Sequence, residues 1–279
     1  MDLVAHIHHQ LLPLYPSHEA DAIARMVSED IFGISLKESL MGNVSLSESQ
    51  RERLEEVIKD LKNHVPVQYV VGYTAFCGHQ FRVSPSVLIP RPETEELVAL
   101  VLEDCQSLGN NPHICDAGTG SGCIAISLAL ALPDADVTAL DISMPALDVA
   151  RGNARATHAS VHFMQADILN TSTLPEGPWN IIVSNPPYVM ESERKDMDIQ
   201  VLEHEPSQAL FAPETDPLLF YRKLALWAKN SLSGEGMLYC EVNARLAEET
   251  RRMFGDYGFS KVSVHKDQYG KNRFVRCLK

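Results

Sequence analysis

The sequence predicts an α/β protein: a mainly parallel, doubly wound sheet of seven strands, preceded by a small helical domain. Three observations carry this. From residue 113 onward, short apolar runs alternate with helix-patterned stretches, and that alternation builds a parallel sheet covered on both faces. Two of the strands end in Asp116 and Asp141, and a glycine-rich turn follows the first. A third, Ile181-Ile182-Val183, runs straight into Asn185-Pro186-Pro187-Tyr188, where two prolines stop a buried strand because neither can donate to a ladder.

Residues 1–65 read as wholly helical. Leu3, Ile7, Leu11 and Leu14 recur at helical spacing before Pro16-Ser17 breaks and recaps the chain. Ile23, Met26, Val27 and Ile31 mark a second helix ended by Gly33, and Ser47 three residues before Gln50 is capping-box chemistry for a third. Leu54, Val57, Ile58 and Leu61 give that helix its apolar stripe. Such a bundle either stabilises the rest or docks a partner. Residues 66–90 change character: Gln68-Tyr69-Val70-Val71-Gly72 and Gln80-Phe81-Arg82-Val83 read as short strands of a hairpin linker around Cys77-Gly78. Residues 91–279 form the main domain. Pro92 suits the first turn of a helix, with Glu93, Glu95 and Glu96 at its positive end.

The alternation follows. Strands are expected at 113–116, 136–141, 161–164, from Ile181, at 236–241, 261–264 and 273–277. Helices are expected near 123–132, 145–156, from Asp216-Pro217 to about Asn230, and 244–254. The helix from Cys123 is nearly all apolar and must lie against the sheet.

Composition narrows the function. At 45% hydrophobic and 22% charged the chain is globular, no apolar run approaches the ~18 residues of a membrane span, and the start lacks signal-peptide features. Six scattered cysteines show no metal-ligand spacing, which suits reduced thiols of a cytoplasmic protein. A net charge of −13 disfavours duplex DNA, whose binders carry basic fields.

The turn Gly118-Thr119-Gly120-Ser121-Gly122 is neither a dinucleotide fingerprint, since Cys123 stands where the third glycine belongs, nor a phosphate loop, since the lysine is missing. It is a tight turn against a ligand. Asp141, closing the next strand, is placed to accept from both hydroxyls of a ribose. With Asp116 near a cationic amino-acid tail, the set fits S-adenosylmethionine better than a nicotinamide dinucleotide. Asp167 follows the third strand, and Ile168 would pack on the adenine. Asn185 is both a cofactor-side and an acceptor-side candidate, with Pro186, Pro187 and Tyr188 completing the acceptor site.

On these residues the chain resembles class I S-adenosylmethionine-dependent methyltransferases, and Asn-Pro-Pro-Tyr is the motif of those that methylate planar nitrogen. Pro66-Val67-Gln68-Tyr69, Gly72, Phe81 and above all Val87-Leu88-Ile89-Pro90-Arg91-Pro92-Glu93-Thr94-Glu95 narrow the resemblance to the PrmC/HemK protein-(glutamine-N5) methyltransferases. The likeness runs from about residue 65 to the end, and that family also carries a helical amino-terminal domain. It implies methylation of the Gly-Gly-Gln glutamine of class I peptide chain release factors, with S-adenosyl-L-homocysteine as product and no metal. Residues 1–65 are then expected to dock the substrate, and the protein to be a monomer with no DNA or membrane partner. In the implied chemistry Asn185 and the Pro186 carbonyl hold the substrate amide, and Tyr188 packs on it. Two positions depart from the family pattern: Leu202-Glu203-His204 stands where an arginine often precedes Glu205-Pro206, and Asp216-Pro217 replaces Asp-Gly. The rival readings are a nucleic-acid amine methyltransferase, which needs a basic, aromatic recognition region not found here, and a noncatalytic binding module.

Overall fold

The computed structural model describes residues 2–42, 44–106 and 111–279. Its contacts divide the chain into two compact units, Met1–Tyr73 with Asp198–His204, and Thr74–Met197 with Glu205–Lys279.

The first unit is helical: α1 (Leu3–Leu11), α2 (Ser17–Asp30), α3 (Leu36–Leu40), α4 (Glu48–Lys62) and α5 (Val67–Val71). Asp2 caps α1 by accepting from the Ala5 N–H. Ser35 with Glu38 and Ser47 with Gln50 form reciprocal capping boxes at α3 and α4, so two N–H groups at each start are satisfied. Leu3, Ile7, Leu11, Val27, Val57 and Leu61 are fully buried at its centre, and the Tyr15 hydroxyl donates to the Leu61 carbonyl at 2.7 Å. The stretch 68–72, expected as a strand, is a correction: it is helix α5, stopped by Gly72 at φ +87°. Val67 and Val70 pack against the helical core, so tertiary burial overrides the β preference of a Tyr-Val-Val run. The unit therefore extends to Tyr73, and a later helix, α9 (Ile199–His204), joins it where His204 Nε2 meets the Asn63 carbonyl at 2.9 Å.

In the second unit the hairpin is β1 (Tyr73–Phe76) and β2 (His79–Arg82), turning at Cys77 and Gly78, both at positive φ. Its Phe76 and Phe81 rings meet edge to face at 5.9 Å and join the core beneath α6 (Pro92–Cys105). Then come β3 (His113–Ala117), α7 (Cys123–Ala131), β4 (Asp136–Asp141), α8 (Met144–Thr157), β5 (His162–Gln165) and β6 (Trp179–Ser184). A short α10 (Ser207–Leu210) precedes α11 (Leu219–Ser231), β7 (Leu232–Glu241), α12 (Ala247–Asp256), β8 (Lys261–Lys266) and β9 (Asn272–Leu278).

The strands form one seven-stranded sheet in the order β5-β4-β3-β6-β7-β9-β8. Only β9 runs antiparallel to its neighbours. Alternation along the strands splits the core. Cys115, Ala117, Ile182, Leu238 and Cys240 face α11 and α12, while Ile114, Ile181, Val183, Met237 and Tyr239 face α6 and α7. The chain order reverses between β3 and β6, the switch point where open α/β sheets bind ligands.

Candidate functional site

The switch point brings the two sequence motifs together. In the parallel pairing of β3 with β6, Ala117 stands opposite Ser184, so the glycine turn and Asn185 leave neighbouring strands at one height. The Ser184 hydroxyl donates to the Ala117 carbonyl at 2.6 Å, tying the two strand ends. Above them lies a cavity of about 310 Å³ lined by Gly118, Thr119, Gly120, Ser121, Asp141, Asp167, Ile168, Asn185 and Pro187. Thr94, Arg91, Leu88, Gln208 and Phe220 close its other walls.

The turn is held from behind. The Gly118 and Thr119 N–H groups both donate to the Leu140 carbonyl at 2.8 Å. Asp116, on the sheet face under α7, accepts from the Thr119 hydroxyl at 2.6 Å and the Ala125 N–H at 3.3 Å. Its carboxyl is fully buried and does not line the cavity; burial, working against those two bonds, pushes its pKa up to about 7. Asn153 of α8 donates to the Ser121 carbonyl at 2.9 Å and exchanges bonds with the Arg82 backbone, joining the turn to the hairpin.

Asp141 faces the cavity. Its Oδ2 accepts from the Gly120 N–H at 2.8 Å and its Oδ1 from the Ser143 N–H at 2.9 Å. Burial raises its pKa, and these backbone bonds oppose that. Each oxygen has taken one N–H, and an ionised carboxylate offers about four acceptor sites, so capacity remains for a pair of vicinal hydroxyls. Nothing lies within 4 Å of where a Cβ on Gly120 would stand, and Ile168 Cδ1 is 3.7 Å from one on Gly118. The Ile168 side chain is buried, an apolar wall beside the turn. These features fit a ribose and an aromatic base. Asp167 accepts from the Leu169 N–H at 2.8 Å and shapes the same loop. Gly122 differs: a Cβ there would stand 2.9 Å from Ile126 Cδ1 and 3.1 Å from Ala150 Cβ, so its role is close helix packing.

On the acceptor side Asn185 and Pro187 reach the cavity, whereas Pro186 is buried. Tyr188 packs on the core toward α11 and donates to Glu241 Oε1 at 2.9 Å. Burial, then the Glu241 charge, raises the Tyr188 pKa. Glu241, at the end of β7 and 2% exposed, also accepts at Oε2 from the Thr94 hydroxyl at 2.8 Å. Thr94 in turn lies 3.4 Å from Asn185 Nδ2. Neither Thr94 nor Glu241 was singled out as a site residue by sequence. The available signal for Glu241 was a carboxylate ending an apolar strand, as Asp116 and Asp141 do. Arg91 pairs with the buried Glu205, which also accepts from the Ile89 N–H at 3.1 Å; the Ile-Pro-Arg segment is thereby fixed at the cavity rim.

Comparison with known proteins decides the family. A model of the methyltransferase small domain matches residues 96–212, and one of the PrmC N-terminal domain matches residues 2–72. The release factor glutamine methyltransferase of Bacteroides thetaiotaomicron is 42% identical over 277 residues, covering 98% of each chain. The chain belongs to the release factor glutamine methyltransferase family. A second member, from Flavobacterium psychrophilum, is 43% identical over 239 residues, covering 85% of this chain and 84% of that one. Among solved structures, the T. thermophilus 16S rRNA N2 G1207 methyltransferase in complex with AdoMet and guanosine aligns with a TM-score of 0.54 at 16% identity. That alignment covers 74% of this chain and 49% of the other; at such identity it speaks to the fold. No helix among the described residues is long and apolar enough to cross a membrane.

Proposed function

We propose that this chain transfers the methyl group of S-adenosylmethionine to the side-chain amide nitrogen, N5, of the Gly-Gly-Gln glutamine in class I peptide chain release factors, leaving S-adenosylhomocysteine. The observation that carries the reading is the strand register, which delivers the glycine turn and Asn185 into one cavity. Family membership supplies the acceptor class.

S-adenosylmethionine, when bound, supplies a methyl group made electrophilic by its sulfonium. The chain's own residues do the rest. Asp141 holds the ribose hydroxyls, Gly118 and Gly120 let the backbone come close, and Ile168 packs on the adenine. An amide nitrogen is a poor nucleophile because its lone pair is delocalised into its carbonyl. Asn185 Oδ1 and the Pro186 carbonyl accept its two N–H bonds, which orients the lone pair and offsets positive charge developing on nitrogen. As the nitrogen–carbon bond forms, the sulfur–carbon bond breaks, and the nitrogen then releases one proton to water. The helical unit docks the factor. The charge of −13 suits a protein partner better than a phosphate backbone. The enzyme acts as a cytoplasmic monomer.

Tritiated S-adenosylmethionine tests this when offered with a release factor, with the same factor whose Gly-Gly-Gln glutamine is replaced, and with tRNA or duplex DNA. Label is expected in the first alone. Label in nucleic acid and none in the factor overturns the reading.

A further inference from the structure

The buried carboxylate of Glu241 has no place in the chemistry above, yet it ends the polar chain that begins at Asn185. A carboxylate only accepts. Its Oε1 receives the Tyr188 hydroxyl and its Oε2 the Thr94 hydroxyl, so the single Thr94 proton is committed to Glu241. The Thr94 oxygen is then left with lone pairs alone, and whatever reaches it must donate. The group that reaches it is the Asn185 side-chain amide, at 3.4 Å. An asparagine amide has one donating and one accepting end. With its NH2 turned to Thr94, its oxygen is the end left for the cavity.

We infer that Thr94 and Glu241 are positioning residues that fix which end of the Asn185 amide meets the substrate, making the motif an acceptor of N–H bonds and so selective for an NH2-bearing nucleophile. This rests on the proposed function of the same site. Without a directed proton chain, the two ends of an Asn185 amide compete for the cavity. With its NH2 inward it would repel the substrate's own NH2 and hold a carbonyl oxygen instead. The frame that sets this direction is rigid. Thr94 is in the first turn of α6, where the positive helix end favours a carboxylate. The Glu241 backbone carbonyl also accepts from the Tyr221 hydroxyl at 3.0 Å. Burial raises the Glu241 pKa and Glu93 adds to the rise, while the Thr94 and Tyr188 hydroxyl bonds and then the Arg273 charge act to hold it ionised.

Two measurements test the inference. In the ligand-free wild-type protein, a nuclear Overhauser contact is expected between the Asn185 side-chain NH2 protons and the Thr94 methyl group. Its absence, in a spectrum where both resonances are assigned, overturns the inference without reference to activity. In kinetics, Thr94→Val keeps the shape and removes the hydroxyl; kcat on a release factor should fall about 10-fold or more, as for a lost orienting bond, while S-adenosylmethionine affinity stays within about twofold. Thr94→Ser restores the hydroxyl and should recover most of kcat. If Thr94→Val keeps wild-type kcat, or Thr94→Ser is no better than Thr94→Val, the inference fails. A wild-type enzyme inactive on every release factor sinks the proposed substrate instead, and the Overhauser contact still decides the amide's direction.

Discussion

Replacing Gly122 and Gly120 by alanine, one at a time, separates two uses of the same turn. At Gly122, φ is +83° and a Cβ would lie 2.9 Å from Ile126 Cδ1 and 3.1 Å from Ala150 Cβ. The left-handed backbone costs an L residue ~1–2 kcal/mol, and overpacking a core typically adds ~1–3 kcal/mol. The tip of Ile126 can turn aside, but Ala150 has no rotamer to change and sits on helix α8, so a total near ~3 kcal/mol is expected. For a chain of this size that lowers Tm by roughly 5 °C. At Gly120, φ is +55° and the Cβ would meet no heavy atom within 4 Å. Only the backbone term remains, roughly 1–2 kcal/mol. The added methyl would stand in space assigned to the cofactor, so affinity for S-adenosylmethionine should drop about 10-fold or more, a loss of ~1.4 kcal/mol. Thermal melts of the ligand-free proteins and titration calorimetry read the two effects separately. A Gly120→Ala protein that melts below Gly122→Ala, or that binds cofactor as tightly as wild type, refutes the assignment.

Asn185→Ala should reduce kcat on a release factor by roughly 10²–10³, the usual loss for one preorganised partner of a developing charge, with cofactor affinity largely kept; turnover above about a tenth of wild type would move the acceptor site elsewhere. Asp141→Ala should weaken S-adenosylmethionine binding by ~2 kcal/mol or more through lost charge-assisted bonds, and calorimetry showing unchanged affinity would take Asp141 out of the cofactor site. Burial holds Asp116 at a pKa of about 7, above the ~3.9 of an unfolded chain. Its contribution to stability is therefore full below that unfolded value and is lost as pH rises through about 7. Asp116→Asn should flatten the fall in melting temperature over that window, and identical pH slopes for variant and wild type would count against a buried neutral carboxyl.

Much of the main domain was legible because its strands are short, β-branched and bounded by glycine, proline or an acid. Asp136–Asp141 is a strand over the whole span expected from the pattern. The reading broke at 68–72, where a run rich in valine and tyrosine is helical because Val70, with Val67 just before it, packs half-buried against other helices, a fact that lies outside the run itself. Helices α3, α9 and α10, four to six residues long, are too short to show a period. In the site, the glycine turn, Asp141 and Asn185 announce themselves as local motifs. Thr94 and Glu241 do not, since their bond joins residues 147 apart in sequence, and only the sheet order makes them neighbours.

The adjacency of β3 and β6 has a consequence for how such a chain can change. Donor and acceptor sit on neighbouring rungs of one hydrogen-bonded ladder, whose strands lie about 4.8 Å apart whatever connects them. The intervening α7, β4, α8 and β5 return the chain to that ladder but do not set the gap between turn and Asn185. Residues can therefore be gained or lost in the connections at the far edge of the sheet, away from the Asp141 and Asp167 loops, without altering the reach of methyl transfer. A single register slip of β6, by contrast, displaces Asn185 along the strand and turns the whole strand over.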